Sequence, residues 1–174
     1  MKEKEYMRLE SDSIGTMEVP EDAYYGVQAL RAKENFPITG TKLHPVFIKN
    51  LAKIKRAAAI TNRKAGRLKP EIANAIEASA NEVICGMFDK DFIVDGIQGG
   101  AGTSANMNMN EVIANRAIEM LCGKKGDYTI VHPNDHVNMA QSTNDVIPTA
   151  GKLTVLDLLK PFRQKSFPFN RSLI

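Results

Sequence analysis

The sequence predicts a mainly α-helical fold with a small β-hairpin near its N-terminus. Apolar residues recur at intervals of three and four over several long stretches, the period of a helix with one buried face. Only one short stretch, close to the start, alternates with the period of a strand. Two polar segments rich in Gly, Asn, Ser and Thr separate the helical text and have the composition of loops that lead into helix starts.

The alternation lies in residues 8–25, where Ile14, Thr16, Met17, Glu18 and Val19 sit between Gly15 and Pro20, and it predicts a hairpin or extended arm. Residues 45–65 place Phe47, Leu51, Ile54 and Ala58 on one helical stripe; Pro45 suits a first turn and Gly66 a stop. Residues 70–88 repeat the design with Ile72, Ile76, Ser79, Val83 and Met87, and Glu71 sits near the positive end of the helix dipole. Residues 104–121 predict a third long helix, with Gly123 beyond its end and Lys124 and Lys125 nearby. It contains Asn106, Asn108, Asn110 and Asn115, which helix propensity alone would not select. A fourth helix starts near Asp145, accommodates Pro148 in its first turn and continues through Leu153, Leu156 and Leu159. From Pro161 the text turns to clustered aromatics and a second proline without a helical stripe, so the helix is expected to stop there.

At 174 residues the chain is long enough for one domain with a real core, burying about two-thirds of its unfolded surface. Lys and Arg total 23 against 20 Asp and Glu, and a net charge of +3 argues against a nucleic-acid partner or an anionic membrane surface. No apolar run nears the ~20 residues of a spanning helix, and Met1-Lys2-Glu3-Lys4-Glu5 lacks the apolar region of a signal peptide. A soluble cytoplasmic protein is the expectation. Cys85 and Cys122, without CxxC spacing, read as buried free thiols rather than a disulfide.

The chemistry concentrates in the two polar segments. Residues 132–145, His-Pro-Asn-Asp-His-Val-Asn-Met-Ala-Gln-Ser-Thr-Asn-Asp, present Ser142, Thr143 and Asn144 at a helix start where free backbone N–H groups also point outward. Residues 98–111 run from glycines to Thr103 and Ser104 at another. Two such places together suit a ligand bearing carboxylates. Local capping would account for one of these hydroxyls but not for three adjacent donors, so a site and an elaborate turn both stay open. The glycine loop lacks the Gly-Lys-Ser/Thr ending of a phosphate loop. Pro133 spoils the helical spacing of His132 and His136, so hydrogen-bonded loop histidines are expected and no metal site. His44 reads as a helix-start residue, and Met107, Met109, Met120 and Met139 as core filler.

Gly99-Gly100-Ala101-Gly102-Thr103-Ser104-Ala105-Asn106-Met107-Asn108 and His132-Pro133-Asn134-Asp135-His136-Val137-Asn138 through Gln141-Ser142-Thr143-Asn144-Asp145 resemble the first two sequence blocks of the aspartase/fumarase superfamily, in order and at its spacing. The texts Val19 to Gln28, Glu34 to Pro37 and Asp95 to Gln98 resemble it too, so the likeness covers about residues 8–159. Gly-Ala-Gly-Thr-Ser and Ser-Thr-Asn-Asp resemble the aspartate ammonia-lyase branch, whereas class II fumarases more often have Ser-Gly-Thr-Gln and Ser-Ser-Asn-Asp at those places. His132-Pro133-Asn134-Asp135 resembles a secondary carboxylate site of fumarases.

The resemblance implies reversible elimination of ammonia from L-aspartate to fumarate through an aci-carboxylate, with no organic cofactor and with divalent-metal activation left unspecified. Thr103, Ser142 and Thr143 would hold the reacting carboxylate, Asn144 (with Thr103) the amino group, and His132, Asn134 and Asp135 a secondary carboxylate. The serine base of the family stands in a third block that this chain lacks, so its catalytic residue is unassigned. The implied fold is the N-terminal helical domain over residues 1–144, the opening of the central long helix over 145–161 and a divergent tail over 162–174, truncated at the start of the central bundle. The implied assembly is a homotetramer, and the isolated chain is expected to be inactive. A class II fumarase-like hydratase and a non-catalytic helical association module are the alternatives.

Overall fold

The computed structural model describes residues 6–166 and is built around one buried helix. Strands β1 (Met7–Ser11) and β2 (Thr16–Pro20) pair antiparallel, with Leu9 opposite Glu18, as the hairpin pattern predicts. Five helices follow: α1 (Val27–Asn35), α2 (Pro45–Lys64), α3 (Pro70–Ile84), α4 (Thr103–Met120) and α5 (Thr143–Ser166). Thirteen of the 18 residues of α4 are buried, which makes it the centre against which α3, α1 and the segment after α4 pack. Its apolar faces, Met109, Val112, Ile113, Ala117 and Ile118, join Leu51, Ile76, Val83 and Phe92 in the main core.

The asparagines of α4 explain how a helix can be buried on every side. Asn108 accepts from the Ile93 N–H and donates to the Asp91 carbonyl; Asn115 accepts from the Gly126 N–H and donates to the Tyr24 carbonyl. Each satisfies irregular backbone that would otherwise be stranded in the core. Low helix propensity is offset by these tertiary bonds, each contributing about 1 kcal/mol net.

Several boundaries differ from expectation for physical reasons. Helix α3 stops at Ile84, four residues early, because Gly86 takes φ +85 and the Met87 and Gly86 N–H groups close back onto Glu82 and Val83. Met87 is therefore outside the stripe and 61% exposed. Beyond α4 the left-handed position belongs to Cys122 (φ 62) and not to Gly123, whose missing Cβ leaves room for Ile118 and Ile130. Cys85 and Cys122 are free but exposed, since both lie just past helix ends rather than within buried faces.

Helix α5 begins at Thr143, so Pro148 is its sixth residue, just beyond the first turn. It also continues through Pro161 to Ser166, where a stop was expected. Pro161 removes one N–H from the ladder, but Arg163 and Gln164 are good helix formers. Periodicity reports burial, not helicity, so the loss of an apolar stripe did not mark the end of the helix. The expected divergence over 167–174 lies outside the described residues. Val155, Leu156, Leu158 and Leu159 are all exposed on α5. Among the described residues no helix is long and apolar enough to cross a membrane.

Helix α1 was not anticipated, and its start shows why. Gly26 at its N-cap makes no side-chain cap, and the cap comes instead from Glu111, 85 residues away, which accepts from the N–H groups of Gly26, Gln28 and Ala29 at 2.9–3.0 Å. Glu10 accepts from Val27 N–H and from the Tyr128 hydroxyl. A Cβ on Gly26 would stand 2.6 Å from Glu10, so glycine is required there for space. Burial outweighs the three donors and pushes the Glu111 carboxyl up to about 7.

Candidate functional site

The first polar segment turns on two glycines in the left-handed region, Gly100 (φ 63) and Gly102 (φ 88), and delivers Thr103 as the first residue of α4. Gln98 anchors the turn: its Oε1 accepts from Ala105 N–H at 2.6 Å and its Nε2 donates to the Asp95 carbonyl. Gly102 lies flat against α5, and a Cβ there would meet Ile147 at 2.8 Å. Gly102→Ala combines that clash with an unfavourable φ and is expected to cost about 2–3 kcal/mol, measurable by urea unfolding; a loss below ~0.5 kcal/mol would contradict the close approach.

The second segment starts α5 beside it. Ser142 is a local cap, its Oγ accepting from Asn144 N–H at 3.2 Å and its carbonyl from Val146 N–H at 3.0 Å. Capping thus accounts for Ser142, as one of the two sequence readings held. Thr143 does something different: its Oγ1 accepts from Asn106 Nδ2 of α4 at 3.2 Å, tying the two helix starts together. Thr103 stands three residues before Asn106 on the same side of α4. Thr103, Ser142 and Asn144 are exposed and Thr143 half-buried, each in or beside the first turn of α4 or α5. Backbone N–H groups without helical partners and the helix dipole make each of these helix starts favourable to negative charge.

Behind them lies a group that the sequence pattern concealed. Lys55 of α2 is fully buried and donates to Asn106 Oδ1 at 2.7 Å and to Asn138 Oδ1 at 2.8 Å. Asn106 Nδ2 also reaches Asn138 Oδ1 at 3.1 Å, and Asn138 Nδ2 donates to the Gln141 carbonyl at 3.2 Å. Burial pulls the Lys55 ammonium down to about 7. Of the expected α2 stripe Phe47, Leu51, Ile54 and Ala58, only Leu51 is fully buried, and the buried face is rotated by about one residue: its positions are Ile48, Asn50, Leu51, Ala52, Lys55, Ala59 and Asn62. Spacing by four from Leu51 and to Ala59 was the signal that could have found Lys55, but a lysine in an apolar stripe ordinarily reads as solvated.

Asn134 and Asp135 stand on a short π-helical turn, Pro133–Val137, that His132 caps, where irregular loop was expected. Pro133 opens the turn because its missing N–H would be unpaired there. His132 Nδ1 accepts from the N–H groups of Asn134 and Asp135 at 3.2 and 3.1 Å, which caps the start of the turn. The Asp135 carboxylate lies 3.4 Å from the same Nδ1. His136 Nδ1 accepts from His132 N–H, and burial lowers the pKa of His136. His132 and Asn134 line a cavity of about 230 Å³ with Asp12, Gln28 and Tyr128. Arg31 stands in an adjoining cavity, but its guanidinium is bound to Asp12 through two 3.0 Å contacts. Among the described residues no three His, Cys, Asp or Glu side chains converge as a metal site would require.

Residues 15–164 match the family described as Lyase. The chain is 56% identical over 153 residues to aspartate ammonia-lyase of a Bacillus species, covering 88% of this chain and 33% of that protein. It is 55% identical over 152 residues to the class II fumarate hydratase of Halobacterium salinarum, covering 87% and 32% respectively. Among solved structures it is similar to the fumarate lyase:delta crystallin of Brucella melitensis in native form, with a TM-score of 0.85, 50% identity and coverage of 87% of this chain and 36% of that one. It is also similar to the class II fumarase of Schistosoma mansoni, with a TM-score of 0.83, 40% identity and coverage of 86% and 32%. The chain spans about a third of the length of the curated relatives it matches.

Proposed function

The chain belongs to the lyase family, and from that premise we propose that it forms the N-terminal third of an ammonia-lyase converting L-aspartate to fumarate and ammonia. The observation that carries this reading is the hydrogen bond from Asn106 of α4 to Thr143 Oγ1, which brings the start of α5, with Ser142, Thr143 and Asn144, against the helix that Thr103 opens. Elimination begins when a base removes the proton on the carbon beside the reacting carboxylate. The electron pair moves into that carboxylate, which becomes a dianionic aci-carboxylate, and then returns to form the double bond as ammonia departs. Negative charge grows on the carboxylate oxygens, so preaimed neutral donors stabilise the transition state more than the ground state. Thr103, Ser142 and Thr143 hold those oxygens, while Asn144 with Thr103 holds the amino group. His132, Asn134 and Asp135 provide a secondary carboxylate subsite.

The base is outside this chain, and the complete site is assembled in a cytoplasmic homotetramer. The 174-residue chain alone is therefore expected to form no fumarate. The class II hydratase is the second reading, favoured by the fumarate hydratase relative at 55% identity and by the His132–Asp135 turn. One experiment separates the readings. Residues 15–159 of this chain replace their counterpart in the Bacillus subtilis aspartate ammonia-lyase, to which the chain is 54% identical over 158 residues. Fumarate appearing at 240 nm from aspartate is expected, with at least ~100-fold lower kcat/KM for malate, a difference of about 2.7 kcal/mol in barrier. A folded chimera inactive with aspartate, or one that prefers malate, would overturn the proposal.

A further inference from the structure

We propose that Asn106 is a positioning residue that aims the Thr143 hydroxyl proton at the bound carboxylate, and that Lys55 sets its orientation. This inference rests on the carboxylate-binding role given to Thr143 above. It starts from donor and acceptor accounting. Lys55 Nζ stands 2.7 Å from Asn106 Oδ1 and 2.8 Å from Asn138 Oδ1. Whether it carries two hydrogens or three, the lysine nitrogen has enough N–H bonds to serve both, so both amides turn their oxygens toward it. The Asn106 flip is thereby decided by chemistry rather than by shape.

With its oxygen committed, Asn106 offers only N–H bonds to its other neighbours. One goes to Asn138 Oδ1 at 3.1 Å and the other to Thr143 Oγ1 at 3.2 Å. The Thr143 oxygen is thus an acceptor toward the protein interior, and its single O–H is excluded from that direction. Thr143 is half-buried and its neighbours Ser142 and Asn144 are exposed, so the remaining direction is outward, where the carboxylate would lie. The ordering Lys55, Asn106, Thr143 converts a hydroxyl that could rotate freely into a donor aimed before substrate arrives, and orientation settled in advance needs no reorganisation during the reaction. The same lysine holds Asn138, whose Nδ2 binds the Gln141 carbonyl, so the backbone leading to Ser142 is held by the same point. Burying an ammonium is costly, and apolar side chains at 55 and 106 would pack α2 against α4 without that cost.

Two substitutions in the chimera test the aim rather than the packing. Asn106→Asp keeps the size and gives Lys55 an ion-pair partner, but presents Thr143 with an oxygen that captures its proton inward. Asn106→Ala removes the donor and captures nothing. For aspartate, kcat is expected to fall about 50-fold in Asn106→Asp and about fivefold in Asn106→Ala, with KM changed less than about threefold, while the alanine variant has the lower Tm. A role confined to holding the fold predicts the opposite order, because the aspartate variant retains the Lys55 contact. Asn106→Asp turning over at or above the rate of Asn106→Ala would overturn the proposal. An unsubstituted chimera without aspartate turnover would instead refute the lyase reading alone. The aim is then decided in the 174-residue chain by NMR: Thr143→Val should move one Asn106 side-chain amide proton upfield, and an unmoved resonance would overturn it.

Discussion

Replacing Thr143 with valine in the chimeric lyase is expected to lower kcat for aspartate by about 100-fold while KM and Tm change little, since removal of a single oxyanion donor costs roughly 3 kcal/mol of transition-state stabilisation. Valine keeps the branched shape at the first residue of α5 and removes the hydroxyl. On the stability side it deprives one Asn106 N–H of its acceptor, a half-buried bond worth about 1 kcal/mol. The barrier therefore rises more than stability falls. Measuring kcat, KM and thermal unfolding on the same preparation distinguishes the two: equal turnover would remove Thr143 from the site, and a collapse of Tm with proportionate loss of activity would make its role structural.

Glu111→Leu is expected to be the most destabilising single change in the chain outside its apolar core, at about 3 kcal/mol. The carboxylate is fully enclosed and accepts from three N–H groups at the start of α1. Each donor left without a partner costs about 1–3 kcal/mol. Relief of burying an ionisable carboxyl, whose pKa is pushed up to about 7, opposes this and keeps the net loss well below the sum. No local side chain can take over, because Gly26 carries none and has no room for one. Urea unfolding of the 174-residue chain followed by far-UV circular dichroism would give the difference. A loss under ~1 kcal/mol would mean that α1 is capped by something other than Glu111.

The starts of α4 and α5 were legible because they rest on local chemistry. Glycines followed by Thr103, and Ser142-Thr143-Asn144 after a proline-opened turn, announce helix starts through their backbone preferences, and both helix starts lie within one residue or two of expectation. Lys55 was illegible for the converse reason. Its charge argues for the surface, and only the two amide oxygens supplied by α4 and the segment before α5 make its burial tenable. Helix α1 was missed on the same principle, since the cap that a sequence scan looks for within three residues is supplied from 85 residues away. Cys85 and Cys122 went the other way: helical text suggested burial, but the actual helix ends put both on the surface.

By itself, then, the sequence determined a helical chain with an N-terminal hairpin, the places where α2 and α4 start and stop to within a residue or two, and the two polar segments that carry the family's signature. Those properties depend on periodicity, capping and turn chemistry within a few neighbouring residues. Only the tertiary structure decided that the two segments meet, that α2 turns Lys55 inward, and that Asn108 and Asn115 of α4 and the carboxylate of Glu111 satisfy distant backbone. A buried polar group must find its partner wherever the fold brings one, and that distance is not written in the spacing of the chain.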